Sequence, residues 1–467
     1  MSVPVSASST VAALDKKSIE ELSSTNKEPA WLKELRLSAF ERYLEEKEPR
    51  LKDDEWRRTR VDSLDLGSIS LVQPEGRALA GAGKRAEELL ARLERTAGAI
   101  VISDEGTFKT ELSPELVSKG VVFTDIAGAL QDHEALLRKQ LETSSSEGKT
   151  SGRFNLITQA MFSTGVFLHI PADVSVDAPF VIVDGFSSAR KQKALFSRLI
   201  ISVGTGAKAS VINLFTSHFG QGSTGADTAA KKPEWSLASA LVEIGLESSA
   251  RLDYLEIQDF SQDVFSITRN INSLAADSSL YSLNVGAGGG QLKSDIFTHL
   301  SQRGAHADVM GVVLGDQDEH VSFNTIQDHA APDTTSNIDY RIALKDRSVS
   351  AYQGNIVVAK AAQKTNAMQT NKNLILGAEA RADSIPRLEI LADDVKCSHG
   401  ATVGPVDREQ VFYLMSRGLP EAFAEELIVG GFFNTVLETC KIEGAQDWVI
   451  ERVREKIHGA EVTGRGR

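Results

Sequence analysis

From Phe154 to about Gly404 the chain runs through short β-rich segments with no amphipathic helix between them. Val166–Ile170, Phe180–Val183, Leu199–Val203, Ser210–Phe215, Leu252–Ile257, Val309–Leu314, Asn355–Val358 and Leu388–Leu391 alternate with small, polar and glycine-containing stretches. Many strands without crossover helices restrict the fold to a sandwich, a barrel or a β-solenoid. A returning unit favours the solenoid: small residues in alternation, then apolar ones. It stands as Ala207-Lys-Ala-Ser-Val-Ile, Ala305-His-Ala-Asp-Val-Met and Ala380-Arg-Ala-Asp-Ser-Ile, with similar units at Ser278–Leu283, Val349–Tyr352 and Ala367–Gln369. The spacing is irregular, roughly 15 to 30 residues, near the range of structural repeats. In a parallel β-helix the small residues fit the corners, and each coil buries its apolar stripe only under a neighbour.

The flanks have a different texture. Residues 1–27, rich in Ser, Ala and Val, read as a flexible tail with neither an apolar signal core nor arginine enrichment. Residues 28–150 read as a mostly helical α/β domain. Trp31, Leu32, Leu35, Ala39, Phe40 and Tyr43 share a helix face, and Pro49 ends that helix. Further helices are expected at Ala86–Arg95 and Ala129–Leu141, strands at Gly98–Val101 and Gly120–Phe123, and a linker at Glu142–Gly152. The β-solenoid core spans 151–405. Residues 406–467 read as a helical domain: Arg408–Arg417 stopped by Gly418, Ala422–Val429 broken by Gly430-Gly431, then Phe432–Cys440 and Asp447–Ile457.

Composition excludes several classes. A net charge of −13 argues against a nucleic-acid binder or an anionic membrane surface. No apolar run approaches the length of a membrane span. Only two cysteines, Cys397 and Cys440, occur. That excludes a disulfide scaffold, suits a reducing cytoplasm, and cannot supply a four-thiolate cluster cage from one chain.

Catalytic motifs are weak. Gly286-Ala-Gly-Gly-Gly-Gln-Leu-Lys-Ser294 and Gly204-Thr-Gly-Ala-Lys208 lack the glycine before lysine that a phosphate loop requires. Gly81-Ala-Gly83 follows no strong strand. These read as turns. No serine-hydrolase elbow is present. Asp393-Asp394 and Asp316/Asp318/Glu319 are expected by chance in a chain with 64 acids. A polysaccharide-cleaving β-helix enzyme is the rival class, and it needs acids converging from adjacent coils. His299, His306, His320 and His329 lie close in sequence but without tight ligand spacing, and read as polar residues of the coil surface.

The sharpest pair is Cys397-Ser-His399. Two apart on a strand, thiol and imidazole project from one face and can bind iron or zinc. Two ligands underfill a tetrahedral metal, so another chain must complete the set.

These residues sit in a longer pattern. It comprises His329-Ala-Ala-Pro-Asp-Thr-Thr-Ser336, Ala361-Ala-Gln-Lys-Thr-Asn-Ala-Met-Gln-Thr-Asn-Lys-Asn-Leu374, Pro386-Arg-Leu-Glu-Ile-Leu-Ala-Asp-Asp-Val-Lys-Cys-Ser-His-Gly-Ala-Thr-Val-Gly404 and Phe412-Tyr-Leu-Met-Ser-Arg-Gly-Leu419. With Glu28-Pro-Ala-Trp-Leu and Trp56-Arg-Arg-Thr, it resembles the SufB/SufD family of iron–sulfur cluster assembly scaffolds. The Cys-Ser-His-Gly-Ala-Thr form looks like the SufD branch; the SufB form places glutamates around the histidine. A SufB-like principal cluster carrier is the second alternative, and the missing cysteines speak against it.

The resemblance implies a right-handed parallel β-helix between helical domains and a cytoplasmic, non-catalytic scaffold. It implies pairing with SufB along the solenoid, a homodimer when SufB is absent, and docking of the ATPase SufC on the C-terminal helices, which would bring ATP to the complex. By position, His399, with Cys397 beside it, implies a site for a transient iron–sulfur cluster or iron shared with SufB, with no cofactor held stably by this chain alone. Phe412, Tyr413, Arg417 and Gly418 would belong to the SufC-docking region.

Overall fold

The computed structural model describes residues 14–53, 55–56, 59–72, 84–103, 106–110, 112–146, 152–185, 192–217 and 234–458. The Gly81–Gly83 loop, Arg57 and Arg58 of the Trp56 motif, and residues 1–13 of the expected tail lie outside them.

The strands wind into a two-sheet solenoid. One ten-stranded sheet runs from Arg381–Ile390 through Val349–Val358, His320–His329, Gln291–Leu300, Val264–Leu274, Ser236–Leu246, Lys193–Val203 and Thr164–Ile170 to Val122–Asp125, with the short strand Ser70–Leu71 pairing beside Lys193–Val203. The second runs from Lys396–Pro405 through Asn366–Ile375, Thr335–Leu344, His306–Gly315, Ser279–Gly288, Arg251–Asp259, Lys208–Thr216 and Phe180–Gly185 to Gly98–Ser103 and Gly106–Lys109. From Thr164–Ile170 onward successive strands of the chain alternate between the sheets, and pairing is parallel except at the N-terminal end.

The small-residue units are corners of the coils. In the second sheet Lys208, Arg251, Ser279, His306, Thr335, Asn366 and Lys396 are register partners in turn. The residue before each of the first six stacks in one column: Ala207, Ala250, Ser278, Ala305, Thr334 and Thr365 are all buried. The hydroxyls among them close the corner locally: Ser278 donates to Ala275 O (2.8 Å) and Thr365 to Ala362 O (2.9 Å). Asp277, Asp333 and Asp346 take the left-handed conformation in these turns, which aspartate tolerates. The true period is seen where one coil bonds the next: Thr268 to Ser294 spans 26 residues, Gln317 to Asp346 spans 29, and Asp394 to Gln363 spans 31. The irregular spacing expected from sequence arises because Val349 and Ala380 begin strands of the first sheet while Ala207, Ser278, Ala305 and Ala367 begin strands of the second.

Both glycine-rich stretches are corners too. Gly206 has φ +68°. Any Cβ on Gly290 would stand 2.1 Å from Gln262 O, and on Gly288 2.5 Å from Phe260 O, so the backbone of one coil rests directly on the last. Neither precedes a helix, which removes the N-terminal amides a phosphate would need.

Several local expectations are corrected. Part of the tail is ordered: Lys16–Thr25 is a helix capped by Asp15, whose carboxylate accepts from Ser18 N (2.8 Å), and it buries Ile19 and Leu22. Arg153–Met161 is a helix inside the supposed helix-free region. Its residues are buried on all sides from Phe154 onward, so no amphipathic period marks it. The Ala86–Arg95 helix is Lys84–Leu90, and Ala129–Leu141 divides at His133 into Ile126–Asp132 and Glu134–Ser146, the latter entering the expected linker. Gly430-Gly431 does not break its helix, which runs from Glu421 to Leu437. Two glycines cost about 1 kcal/mol each, and burial of Ala424, Val429, Phe433, Val436 and Leu437 outweighs that.

The second sheet's outer face is covered by these C-terminal helices: Ile212, Leu255, Leu283 and Val312 pack with Val429, Phe433, Trp448 and Val453. Ala445–His458 is also fastened by charge. Lys456 Nζ lies 2.7 Å from Glu319 and 3.2 Å from Asp316, and Arg452 lies 2.6 Å from Asp259. Burial pushes the Glu319 carboxyl up to about 8 despite the ammonium beside it.

Candidate functional site at the open end of the solenoid

The strand Lys396–Pro405 carries the Cys/His pair and is the last of its sheet. Register decides where the side chains point. Cys397 lies on Ala367, and His399 on Gln369, in columns that run down the interior through Ser336 and Ile338. The same position in earlier coils is occupied by Leu252 and Tyr254, core residues of the solenoid. Cys397 and His399 therefore face inward, as the spacing of two requires. Among the described residues no further coil covers them.

Cys397 is half-buried against Ala367 and the small apolar group of Ile356, Val358, Ala362 and Ala392. Burial pushes its thiol up, with the Ala367 backbone working against that. Alone it is a poor thiolate. His399 is exposed. Around them the coil is bare: Leu388 and Ile390 are each 37% exposed, while their register partners one coil below, Ile356 and Val358, are at 0%. Val403 and Leu391 are exposed as well. Two strand edges, Arg381–Ile390 and Lys396–Pro405, end their sheets with no neighbour among the described residues. An unpaired edge over an uncovered apolar interior is a template for another chain.

Among the described residues no group of three or more His, Cys, Asp or Glu converges as a metal site. The four clustered histidines go separate ways. His299 pairs with Asp328 (2.6 Å) and His306 with Asp308 (3.0 Å). His320 is buried, and burial pulls its pKa down to about 4. His329 is held inside a corner between Thr334 (2.8 Å) and Ser336 (2.9 Å), also depressed to about 4 by burial. Thr334 gives its own hydrogen to Ala331 O, so it accepts from Nδ1–H and leaves Nε2 to accept from Ser336. The His329–Ser336 motif is thus a corner lock. Asn371 and Asn373, in the next motif, form an internal ladder, Asn373 donating to Asn371 Oδ1 (2.7 Å) and Thr402 O (3.1 Å). The acid pairs do not converge either: Asp318 is bound to Arg347 (2.7 Å) at a coil corner and Glu319 to Lys456.

A second surface lies on the helices Arg408–Ser416 and Glu421–Leu437. Asp407 caps the first, and Val411 and Ala424 bury against Val406 at its root. Gly418, at φ +95°, closes it, with Gly418 N donating to Met415 O and Leu419 N to Leu414 O. Arg417 folds back to donate to the Tyr413 hydroxyl (3.1 Å) and lies over its ring. Phe412 is 72% and Tyr413 56% exposed, with Met415, Phe423 and Leu427 also projecting. Beside them a groove of about 470 Å³ is lined by Leu374, Gln410, Leu414, Leu427, Ile428, Gly431 and Phe432. Phe423 and Leu427 were not singled out by sequence; the signal was the uniform apolarity of 421–437, which no one-sided helix needs.

Comparison with known proteins adds a consistent result. The family model described as SUF system FeS cluster assembly, SufBD core domain, matches residues 186–432. The chain is 26% identical to the iron–sulfur cluster assembly protein SufD of Bacillus subtilis, over 96% of this chain and 99% of that one. It is 31% identical to SufD of Escherichia coli over 46% of this chain and 51% of that one. It is 25% identical to SufB of Bacillus subtilis over 92% and 90%. A solenoid of this construction, ending in an inward-facing Cys/His pair and matching that family over more than half its length, belongs to the SufB/SufD family of iron–sulfur cluster assembly proteins and is SufD-like within it.

Proposed function

We propose that the chain is a non-catalytic scaffold subunit that pairs through the open end of its solenoid with a SufB-type partner. The cluster, or the iron that founds it, is then cargo assembled in the seam. The carrying observation is the last coil. It leaves an inward-facing imidazole and thiol uncovered between two strand edges that end their sheets, and among the described residues no third ligand converges on them. Half a ligand set with its shelter missing is what one wall of a shared site looks like. His399 would contribute an imidazole, Cys397 a thiolate once the seam lowers its pKa, and the partner the remaining ligands. Closure would supply the solvent exclusion that this chain lacks.

The exposed aromatic face of the C-terminal helices, Phe412, Tyr413, Phe423 and Leu427 beside the groove at Gly431, suits a protein partner, and we assign it to the ATPase SufC. Arg417 and Gly418 set the helix end that presents it. Nucleotide-driven movement of that partner would reach the solenoid through the buried contacts of Val411 and Ala424. Iron acquisition is included in the same reading through His399. A SufB-free homodimer through the same edges is its minor form.

The test is reconstitution of the complex with SufB and SufC under anaerobic conditions. His399→Ala is expected to leave the complex assembled and to abolish the cluster's visible absorption. A normal cluster yield overturns the role of His399. Phe412→Asp with Tyr413→Asp is expected to release SufC without releasing SufB; retained SufC would place its docking elsewhere.

A further inference from the structure

We infer that Gln369 is the positioning residue for His399: its carboxamide oxygen takes the imidazole N–H and so aims the other ring nitrogen at the cargo metal. The inference rests on the reading of His399 as a ligand in the seam.

Register sets the two side chains in one column. Gln369 lies on Asn366–Ile375, and His399 is its partner on the last strand. Neighbouring strands stand about 4.8 Å apart, so the two inward-facing side chains lie side by side. In the two coils below, the same column holds Val309 and Ile338, both fully buried. The fold therefore accepts an apolar residue at this place. Instead it carries an amide, 2% exposed, whose Oε1 is buried with no hydrogen-bond partner. A buried acceptor left unmade costs about 1–3 kcal/mol. This one sits directly beneath the imidazole.

The carboxamide is also held where it is. Across the interior it lies against Gly354, where a Cβ would stand 2.4 Å from Cδ, Nε2 and Oε1 of Gln369 alike. Only a glycine leaves that room. Gly354 is the register partner of Pro386. In the last coil His399 thus faces Pro386 as Gln369 faces Gly354 one coil below. The proline ring brings no donor, and the imidazole does. In the lone chain His399 is exposed. Covered by a partner, its ring turns down the column and its N–H meets Gln369 Oε1. A neutral imidazole has one N–H, so holding it there leaves the lone pair of the other nitrogen for metal. Support of this kind on a ligating histidine is worth about tenfold to hundredfold in metal affinity.

The experiment is anaerobic titration of the chain, paired with its SufB-type partner, with iron(II) alone, and unfolding midpoints are measured alongside. Gln369→Met keeps the length and removes the acceptor; it is expected to weaken binding about tenfold to hundredfold without lowering the midpoint. Gln369→Glu keeps an acceptor at the same reach and is expected to restore most of the loss. Added to His399→Ala, Gln369→Met is expected to change nothing further. Should the methionine variant not fold, Gln369→Asn, which draws the amide back by one carbon, decides by the same loss. Native affinity in the methionine variant, with binding lost in His399→Ala, overturns the inference and leaves His399 a ligand. Native affinity in His399→Ala overturns the ligand reading itself, and this inference with it. A loss that glutamate does not restore, or that adds to that of His399→Ala, also overturns it and makes Gln369 a packing residue.

Discussion

The two ends of the solenoid are finished differently. At the N-terminal end the parallel ladder stops in antiparallel pairs, Gly98–Ser103 with Gly106–Lys109 and Val122–Asp125 with Thr164–Ile170. Leu112 and Leu116 then pack over the interior beside Ile100, Ile102 and Phe123. At the C-terminal end the ladder stops in mid-pattern, with Leu388, Ile390 and Val403 where a further coil would lie. A solenoid needs a polar cap at each terminus to stay soluble by itself. On the proposed reading the bare end is covered by another chain, while the capped end carries a cover of its own.

The largest effect should separate equivalent positions in adjacent coils. Ile356 and Leu388 are register partners on the same inward column, one buried and one at the open end. Ile356→Ala is expected to cost about 2–5 kcal/mol of stability, and Leu388→Ala less than about 1 kcal/mol, by denaturant unfolding of the lone chain. Leu388→Asp should leave the lone chain folded and prevent pairing with SufB in co-purification. Comparable losses for the two alanine variants would mean that the end is already covered in the free protein, and the contrast between the ends would fail.

A smaller effect concerns acid. His320 and His329 are neutral in the fold, each depressed to about 4 from an ordinary 6.5 by burial. Each therefore binds fewer protons folded than unfolded between those values. Stability is full above about pH 6.5 and falls with acidification, by up to about 1.4 kcal/mol per pH unit for each histidine. Asp184 acts with the opposite sign: raised to about 7, it favours the fold at low pH and loses that contribution as pH rises towards 7. Replacing His329 by Gln should flatten the acid limb of the stability curve, and Asp184→Asn should flatten the limb between about pH 4 and 7. An unchanged acid limb in the His329 variant would mean that the corner lock opens readily, as at the bare end.

Much of this was legible in the sequence, for reasons that differ by residue. The solenoid shows through its corners: Ala207, Ser278 and Ala305 are small because they stack, and stacking repeats. Cys397 and His399 drew attention because a spacing of two puts side chains on one face of a strand. What sequence could not supply was which face. Only the register, Cys397 on Ala367 and His399 on Gln369, turns them inward, and only the ladder's end leaves them open. The helix Arg153–Met161 was hidden because burial on every side erases period. Gly430-Gly431 misled because propensity is worth about 1 kcal/mol per glycine and packing more. Asp184 carried no local signal at all, since the burial that raises its carboxyl comes from strands far apart in sequence.

The smallest effect distinguishes the two thiols. Cys440 is buried beneath the C-terminal helices, where burial raises its thiol, and its Sγ leans on Ile442 O. Cys397 has a raised thiol too, but its cover is only the outermost apolar group of the solenoid. With an alkylating reagent near neutral pH, Cys397 should react slowly, below the rate of a free cysteine with pKa about 8.5, and Cys440 far more slowly still. Pairing with SufB should then protect Cys397 and leave Cys440 unchanged. Protection measured by mass spectrometry would place the partner over the last coil. Unchanged labelling of Cys397 in the assembled pair would mean that the seam lies off the solenoid's axis, because no partner could lie across those two strand edges and leave the thiol between them open to a small reagent.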